Sequence, residues 1–199
     1  MDPDLSLPSR GMPVELRFYY YSQDDYNAEF GYGRTLSYNR FLQENVPSAG
    51  KVTVHVGTGE RRIYTWDGSK YVPPAGVFDT LTKAGDGTWA EVRAADQVYF
   101  AYDAAGRLKS VNDLNGNTHT VFRDANNRIN KLTDAASRPV YFNYDANGRL
   151  SYMIDWGNRR QTFTYSLVSQ YLTDNSLLLT GVMAQAARLG VGDAWERSL

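Results

Sequence analysis

Apolar and polar side chains alternate along most of this chain, in short segments separated by turn residues. Val52, Val54 and Val56 occupy one set of positions, and Lys51, Thr53 and His55 the other. After Gly57-Thr58-Gly59-Glu60 the period of two returns in Arg61–Trp66, and Asp67-Gly68-Ser69 leads into Lys70-Tyr71-Val72. A period of two puts alternate side chains on opposite faces of a pleated strand, so these segments predict strands joined by hairpin turns. Nearer the start, Val14, Leu16, Phe18 and Tyr20 predict one strand face, and Glu15, Arg17, Tyr19 and Tyr21 the other.

From Tyr102 the pattern becomes a repeat. Tyr102-Asp103-Ala104-Ala105-Gly106-Arg107-Leu108 recurs as Arg123-Asp124-Ala125-Asn126-Asn127-Arg128-Ile129 and as Tyr144-Asp145-Ala146-Asn147-Gly148-Arg149-Leu150, at a period of 21, and Tyr165-Ser166 falls where a fourth copy opens. A second register repeats at the same period: Asp113-Leu114-Asn115-Gly116-Asn117, Asp134-Ala135-Ala136-Ser137-Arg138 and Asp155-Trp156-Gly157-Asn158-Arg159. Asp bonds its own backbone two residues on, and Gly or Asn accepts a left-handed backbone, so both registers predict turns. The predicted turn residues are Asp103, Gly106, Arg107, Gly116, Asp124, Asn127, Arg128, Asp145, Gly148 and Arg149. Strands are expected near 97–102, 107–112, 118–123, 128–133, 139–144, 149–154 and 160–166, as an antiparallel meander, with Leu108, Ser110 and Asn112 on one face and Lys109, Val111 and Asp113 on the other. A single unit cannot bury its apolar face, so stability rests on stacking of neighbouring copies.

The Tyr-Asp-x-x-Gly-Arg-Leu boxes, with Asp113-x-x-Gly116-Asn117 between them, resemble the tyrosine-aspartate (YD) repeats of the rearrangement-hotspot family. Leu5-x-Leu7-Pro8-x-x-Gly11 before a strand, Phe30-Gly31-x-Gly33, and Tyr71-x-Pro73 ahead of Asp79-x-Leu81 resemble that family's amino-terminal domain, so the resemblance covers about residues 4–166. It departs at Arg123 for Tyr, at Asn127 for Gly, and at Arg34 where the family has Trp. The resemblance implies an all-β fold, a short spiral YD-repeat sheet of hairpins, and an extracellular or cell-surface location. In the family such sheets close as a shell around a toxic domain, but three repeats are too few to enclose a cargo. The expected domains are an amino-terminal β domain at 1–95, the repeat sheet at 96–166 and a tail at 167–199.

In the tail the apolar period lengthens. Leu178, Val182, Ala186 and Leu189 sit four, four and three apart, with Asp174, Asn175 or Ser176 as a cap and Gly190 as a stop, which predicts an amphipathic C-terminal helix.

Composition narrows the function. With 21 basic and 22 acidic side chains the formal charge is −1, which supplies no general attraction for nucleic acid. The absence of cysteine excludes disulfides and thiolate metal sites. Fifteen tyrosines suit pleated strands. Met1–Leu5 has neither a basic leader nor an apolar core, so no signal peptide is expected there, and no apolar run is long enough for a transmembrane segment.

Candidate chemistry is sparse. His55 and His119 are the only histidines, and they lie outside any His-x-x-x-His spacing. No Gly-x-Ser-x-Gly elbow occurs, and Gly57-x-Gly59 lacks the context of a nucleotide loop. An identical acid in every copy fits a turn better than an acid/base pair, which needs one unique separation. Asp113, Asn115 and Asn117 leave a weak calcium loop as a minor alternative. The reading is therefore a non-catalytic structural protein with no cofactor and no metal. It is expected to form a homo-oligomer or filament by strand addition through the arm before Val14 and the tail after Ser166, including the C-terminal helix. The alternative is a truncated fragment of a toxin-encapsulating shell whose toxin domain is missing.

Overall fold

The computed structural model describes residues 4–21, 27–168 and 184–188. Its strands begin with β1 (Leu5–Leu7), β2 (Val14–Leu16), β3 (Phe18–Tyr20), β4 (Asn27–Ala28), β5 (Gly31–Tyr32), β6 (Arg34–Leu36) and β7 (Phe41–Glu44). They continue with β8 (Lys51–His55), β9 (Arg61–Trp66), β10 (Tyr71–Val72), β11 (Thr80–Lys83), β12 (Trp89–Val92), β13 (Tyr99–Tyr102) and β14 (Leu108–Asn112). The last are β15 (Thr118–Arg123), β16 (Ile129–Thr133), β17 (Pro139–Tyr144), β18 (Leu150–Ile154), β19 (Arg160–Thr162), β20 (Thr164–Val168) and β21 (Ala184–Arg188). An extended, largely antiparallel sheet of 13 strands runs from β7 to β19, and its spatial order follows the chain. Short connections make sequential strands spatial neighbours.

The chain divides into two compact units, Met1–Tyr19 with Thr35–Val140, and Tyr20–Arg34 with Tyr141–Leu199. In the first, the inward row of successive strands supplies the core: Val52, Val54, Tyr64, Leu81, Trp89, Phe100, Tyr102 and Val121 are all buried. The β1–β2 hairpin pairs Leu5 with Leu16 and Leu7 with Val14, and buries Leu7, Val14 and Leu16 completely. Each such side chain contributes about 1.5–3 kcal/mol of hydrophobic free energy. In the second, β17 pairs with β18 and β18 with β19 around buried Phe142, Leu150, Met153 and Phe163.

Strict alternation fails at one place in each repeat. Leu108 and Val111 are both buried, as are Ile129 with Leu132 and Leu150 with Met153, so the expected face of Leu108, Ser110 and Asn112 is corrected. A register shift after each Tyr-Asp box explains this. Tyr102 faces Leu108 whereas Ala101 faces Ser110, which leaves Lys109 as an extra residue, and the same shift recurs at Phe122/Arg123 and Asn143/Tyr144. A bulge residue re-aims the strand, converting an i, i+2 spacing of inward positions into i, i+3.

The tail also departs from expectation. Ala184–Arg188, within the expected helix, is instead a strand that pairs antiparallel with Thr164–Val168, from Thr164 opposite Arg188 to Val168 opposite Ala184. A neighbouring strand offers five residues a complete hydrogen-bond ladder, and such tertiary pairing overrides weak helical periodicity. The remainder of the expected helix lies outside the described residues. Tyr165-Ser166 accordingly belongs to this two-stranded pairing.

Candidate functional site

The repeated acids build one local structure six times. At Asp103, the Gly106 N–H donates to the Asp103 carbonyl at 2.9 Å and the Asp103 N–H to the Arg107 carbonyl at 2.9 Å, which closes the hairpin. The carboxylate completes the turn: Oδ1 accepts the N–H groups of Ala105 and Arg107, each at 2.9 Å, and Oδ2 accepts Arg107 Nε at 2.8 Å. The same set of bonds surrounds Asp124, Asp134, Asp145 and Asp155, with Arg128, Arg138, Arg149 and Arg159 as the closing guanidinium. At Asp113 the amide of Asn117 takes the place of arginine, at 2.7 Å.

The fourth residue of every turn is left-handed: φ is +78° at Gly106, Gly116 and Gly148, +63° at Asn127 and Ser137, and +60° at Asn158. All ten turn residues named from the sequence thus lie in these hairpins, in four of the six turns. The second register, which also predicts turns, supplies their equivalents Ser137, Arg138, Asn158 and Arg159 through the Asp-x-x-x-Arg spacing at 134 and 155.

Electrostatics follow the geometry. Burial pulls the Asp124 and Asp145 carboxyls upward, but the backbone N–H and guanidinium of Arg128 and Arg149 outweigh it and hold both acids below the usual range. At Asp134 burial is likewise outweighed, by the Arg138 guanidinium and N–H together with the Ser9 hydroxyl. The Asn117 side chain is the largest influence lowering Asp113. With its oxygens occupied by Asn115 and Asn117, Asp113 is a turn former in the conformation seen. Among the described residues no group of three or more His, Asp or Glu side chains is arranged to hold a metal ion.

The Tyr-Asp turns also receive distant backbone. In the first unit the Leu42 N–H donates to the Gly106 carbonyl at 2.7 Å and the Leu108 N–H to the Arg40 carbonyl at 3.3 Å, which bridges β7 to the turn between β13 and β14. A Cβ on Gly106 would overlap the Leu42 carbonyl, so this position needs glycine for close approach as well as for φ. In the second unit the Leu150 N–H donates to the Glu29 carbonyl at 2.7 Å, and the Tyr165 hydroxyl donates to the Leu150 carbonyl at 2.9 Å. The Arg149 guanidinium sits 4.9 Å from the Tyr165 ring centre, and the phenol is pushed up to about 12, chiefly by burial.

A charged cluster lies within the first unit's core. Arg40 donates to Glu91 Oε2 at 2.6 Å and to the Tyr102 hydroxyl at 3.2 Å, and that hydroxyl donates to the same Glu91 oxygen at 2.7 Å. The guanidinium also lies 3.9 Å above the Phe100 ring centre. Burial disfavours the Arg40 cation, but Tyr102 and Glu91 more than offset that and raise its pKa; burial pushes the Tyr102 phenol up. Glu91 shares the inward face of β12 with Trp89.

The two histidines have separate settings. His55 stacks on Phe41 with ring centres 4.1 Å apart and bonds Gln43 at 2.8 Å, while His119 is buried between Tyr38 and Met12. No helix among the described residues is long and apolar enough to cross a membrane. Compared with known proteins, the sequence matches no family model and no curated protein.

Proposed function

We propose that this chain is a non-catalytic scaffold, a coiled β-sheet of YD-type repeats that self-associates into an oligomer or filament outside the cell. One observation carries the reading: the acids of the repeats are committed to the same turn hydrogen bonds six times over, with no copy set apart for chemistry. A catalytic pair would need one unique environment. Support for a coil comes from the turns at Gly106 and Leu150, each of which takes backbone from a segment far away in sequence. Repeated docking of this kind suits a wall that returns upon itself.

The route of self-association is revised from the sequence reading. The amino-terminal arm is engaged within the chain, through Ser9 with Asp134 and Pro8 with Arg138, and β20 is paired with β21. The outward side chains Ile63, Tyr99, Phe122 and Tyr141, each about two-fifths exposed or more, offer apolar area for a second copy. The extracellular setting rests on the family resemblance. Light scattering across a concentration series tests the reading: mass above that of one chain supports it, and a monomer at every concentration removes the self-association.

A further inference from the structure

Arg40 is only 9% exposed, yet its hydrogen bonds use one edge of the guanidinium. Nε donates to the Tyr102 hydroxyl at 3.2 Å and Nη2 to Glu91 Oε2 at 2.6 Å. The second N–H of Nη2 and both of Nη1 have no acceptor among the described residues. These donors lie side by side on the other edge of a planar group, a fork whose spacing matches the two oxygens of a carboxylate. Nη1 is not sealed in the core, as Glu91 Oε1 is.

Arg40 lines a cavity of about 370 Å³ that lies wholly within the first unit and is open to solvent. Met12, Phe100 and Val111 supply its apolar wall, and Arg17 and Arg93 stand at the same cavity. Arg40 and Arg93 share one ring, their Cζ atoms lying 3.9 and 5.5 Å from the Phe100 centre. The acids paired with Arg17 and Arg93 are Glu15 and Asp96, whose side chains are 39% and 49% exposed and therefore screened by water and salt. Arg40 differs from both. Its one carboxylate partner is wholly buried, which leaves the unbonded edge as the part that can meet the cavity.

We propose that this cavity binds a small monocarboxylate with a compact apolar body, the carboxylate on the unbonded edge of Arg40 and the body against Phe100, Val111 and Met12. A carboxylate takes two parallel, charge-assisted bonds from such a fork, whereas a neutral carbonyl or amide offers one oxygen and no charge. A dianion such as phosphate fits less well, because Glu91, Glu15 and Asp96 already balance the three arginines and oppose every further negative charge. The cavity volume falls near the lower end of the range for ligand pockets, roughly 300–1,000 Å³, which limits the occupant to a small molecule.

NMR titration of the full chain with phenylacetate at pH 7, where the acid is ionised, tests the site. Saturable shifts are expected at the Arg40 Nε–H and at the backbone amides of Ser37, Thr58 and Val98, which line the cavity, and none at Trp66 or Lys83, which lie at a different one. Half-saturation is expected at about 1 mM or below. Phenylacetamide has the same shape without the charge, and it is expected to bind about 10-fold more weakly or worse. No saturable shift up to about 20 mM, shifts confined to other surfaces, or equal affinity for acid and amide overturns the proposal. Arg40→Lys keeps the cation and removes the fork, so it is expected to abolish the preference for the acid, and an undiminished preference contradicts the assignment. Should that variant not fold, the comparison of acid with amide in the unaltered chain decides by itself. Neither readout depends on whether copies associate.

Discussion

Glu91 accepts a hydrogen bond from Arg40 at 2.6 Å with its own side chain wholly excluded from water. The pair lies between β12 and the segment entering β7, so it ties the start of the sheet to its middle. Glu91→Gln removes the anion and leaves the Arg40 cation buried, which is expected to cost about 3–5 kcal/mol. Tyr102→Phe keeps the ion pair and removes one hydroxyl, at about 0.5–1.5 kcal/mol. Urea unfolding monitored by tryptophan fluorescence checks both, and equal effects of the two variants would contradict the assignment of charge.

Glycine positions with the same φ are expected to differ in tolerance. Gly106 and Gly116 both lie at +78°, but a Cβ meets the Leu42 carbonyl at Gly106 and nothing at Gly116. Gly116→Asn is expected to change stability by less than about 0.5 kcal/mol, since asparagine adopts the left-handed region. Gly106→Asn displaces β7 and costs about 1–3 kcal/mol, and Gly148→Val, at a φ of +78°, costs a similar amount through backbone strain. Thermal melts of the three variants give the comparison.

The turn carboxylates set the response to acid. Asp124, Asp134 and Asp145 have folded-state pKa values below the unfolded value near 3.9, so their stabilisation is full above that value and is lost as pH falls through the folded values. Unfolding midpoints are therefore expected to fall steeply below pH 4 on account of these acids. Asp134, whose side chain is fully buried, is expected to lose about 1–3 kcal/mol on change to Asn, whereas partly exposed Asp124 loses under about 1 kcal/mol. Reversal of that order in denaturant titrations would contradict the structural reading of the turns.

The meander and its turns were legible because they depend on local chemistry: Asp at the first position and Gly or Asn at the fourth fix a hairpin wherever they occur. Ser137 shows where that legibility stops, since serine rarely signals a left-handed residue, yet the surrounding Asp134 and Arg138 bonds impose it. The inward pairing of Leu108 with Val111 was hidden because a bulge breaks the period of two without marking the sequence. Ala184–Arg188 read as helix because its i, i+4 spacing is also compatible with a strand once Thr164–Val168 supplies a partner. Arg40, Glu91 and Tyr38 with His119 are long-range meetings that no local pattern encodes.

Electron microscopy of the purified chain and of Asp124→Asn, each with and without a chelator, tests the scaffold account most directly. Ordered multi-copy assemblies are expected in all four samples, because Asn126 and Arg128 N–H groups still find an acceptor at position 124 and no metal contributes. Isolated single-chain particles in the unaltered protein, or assemblies lost on chelation or in Asp124→Asn alone, would contradict it.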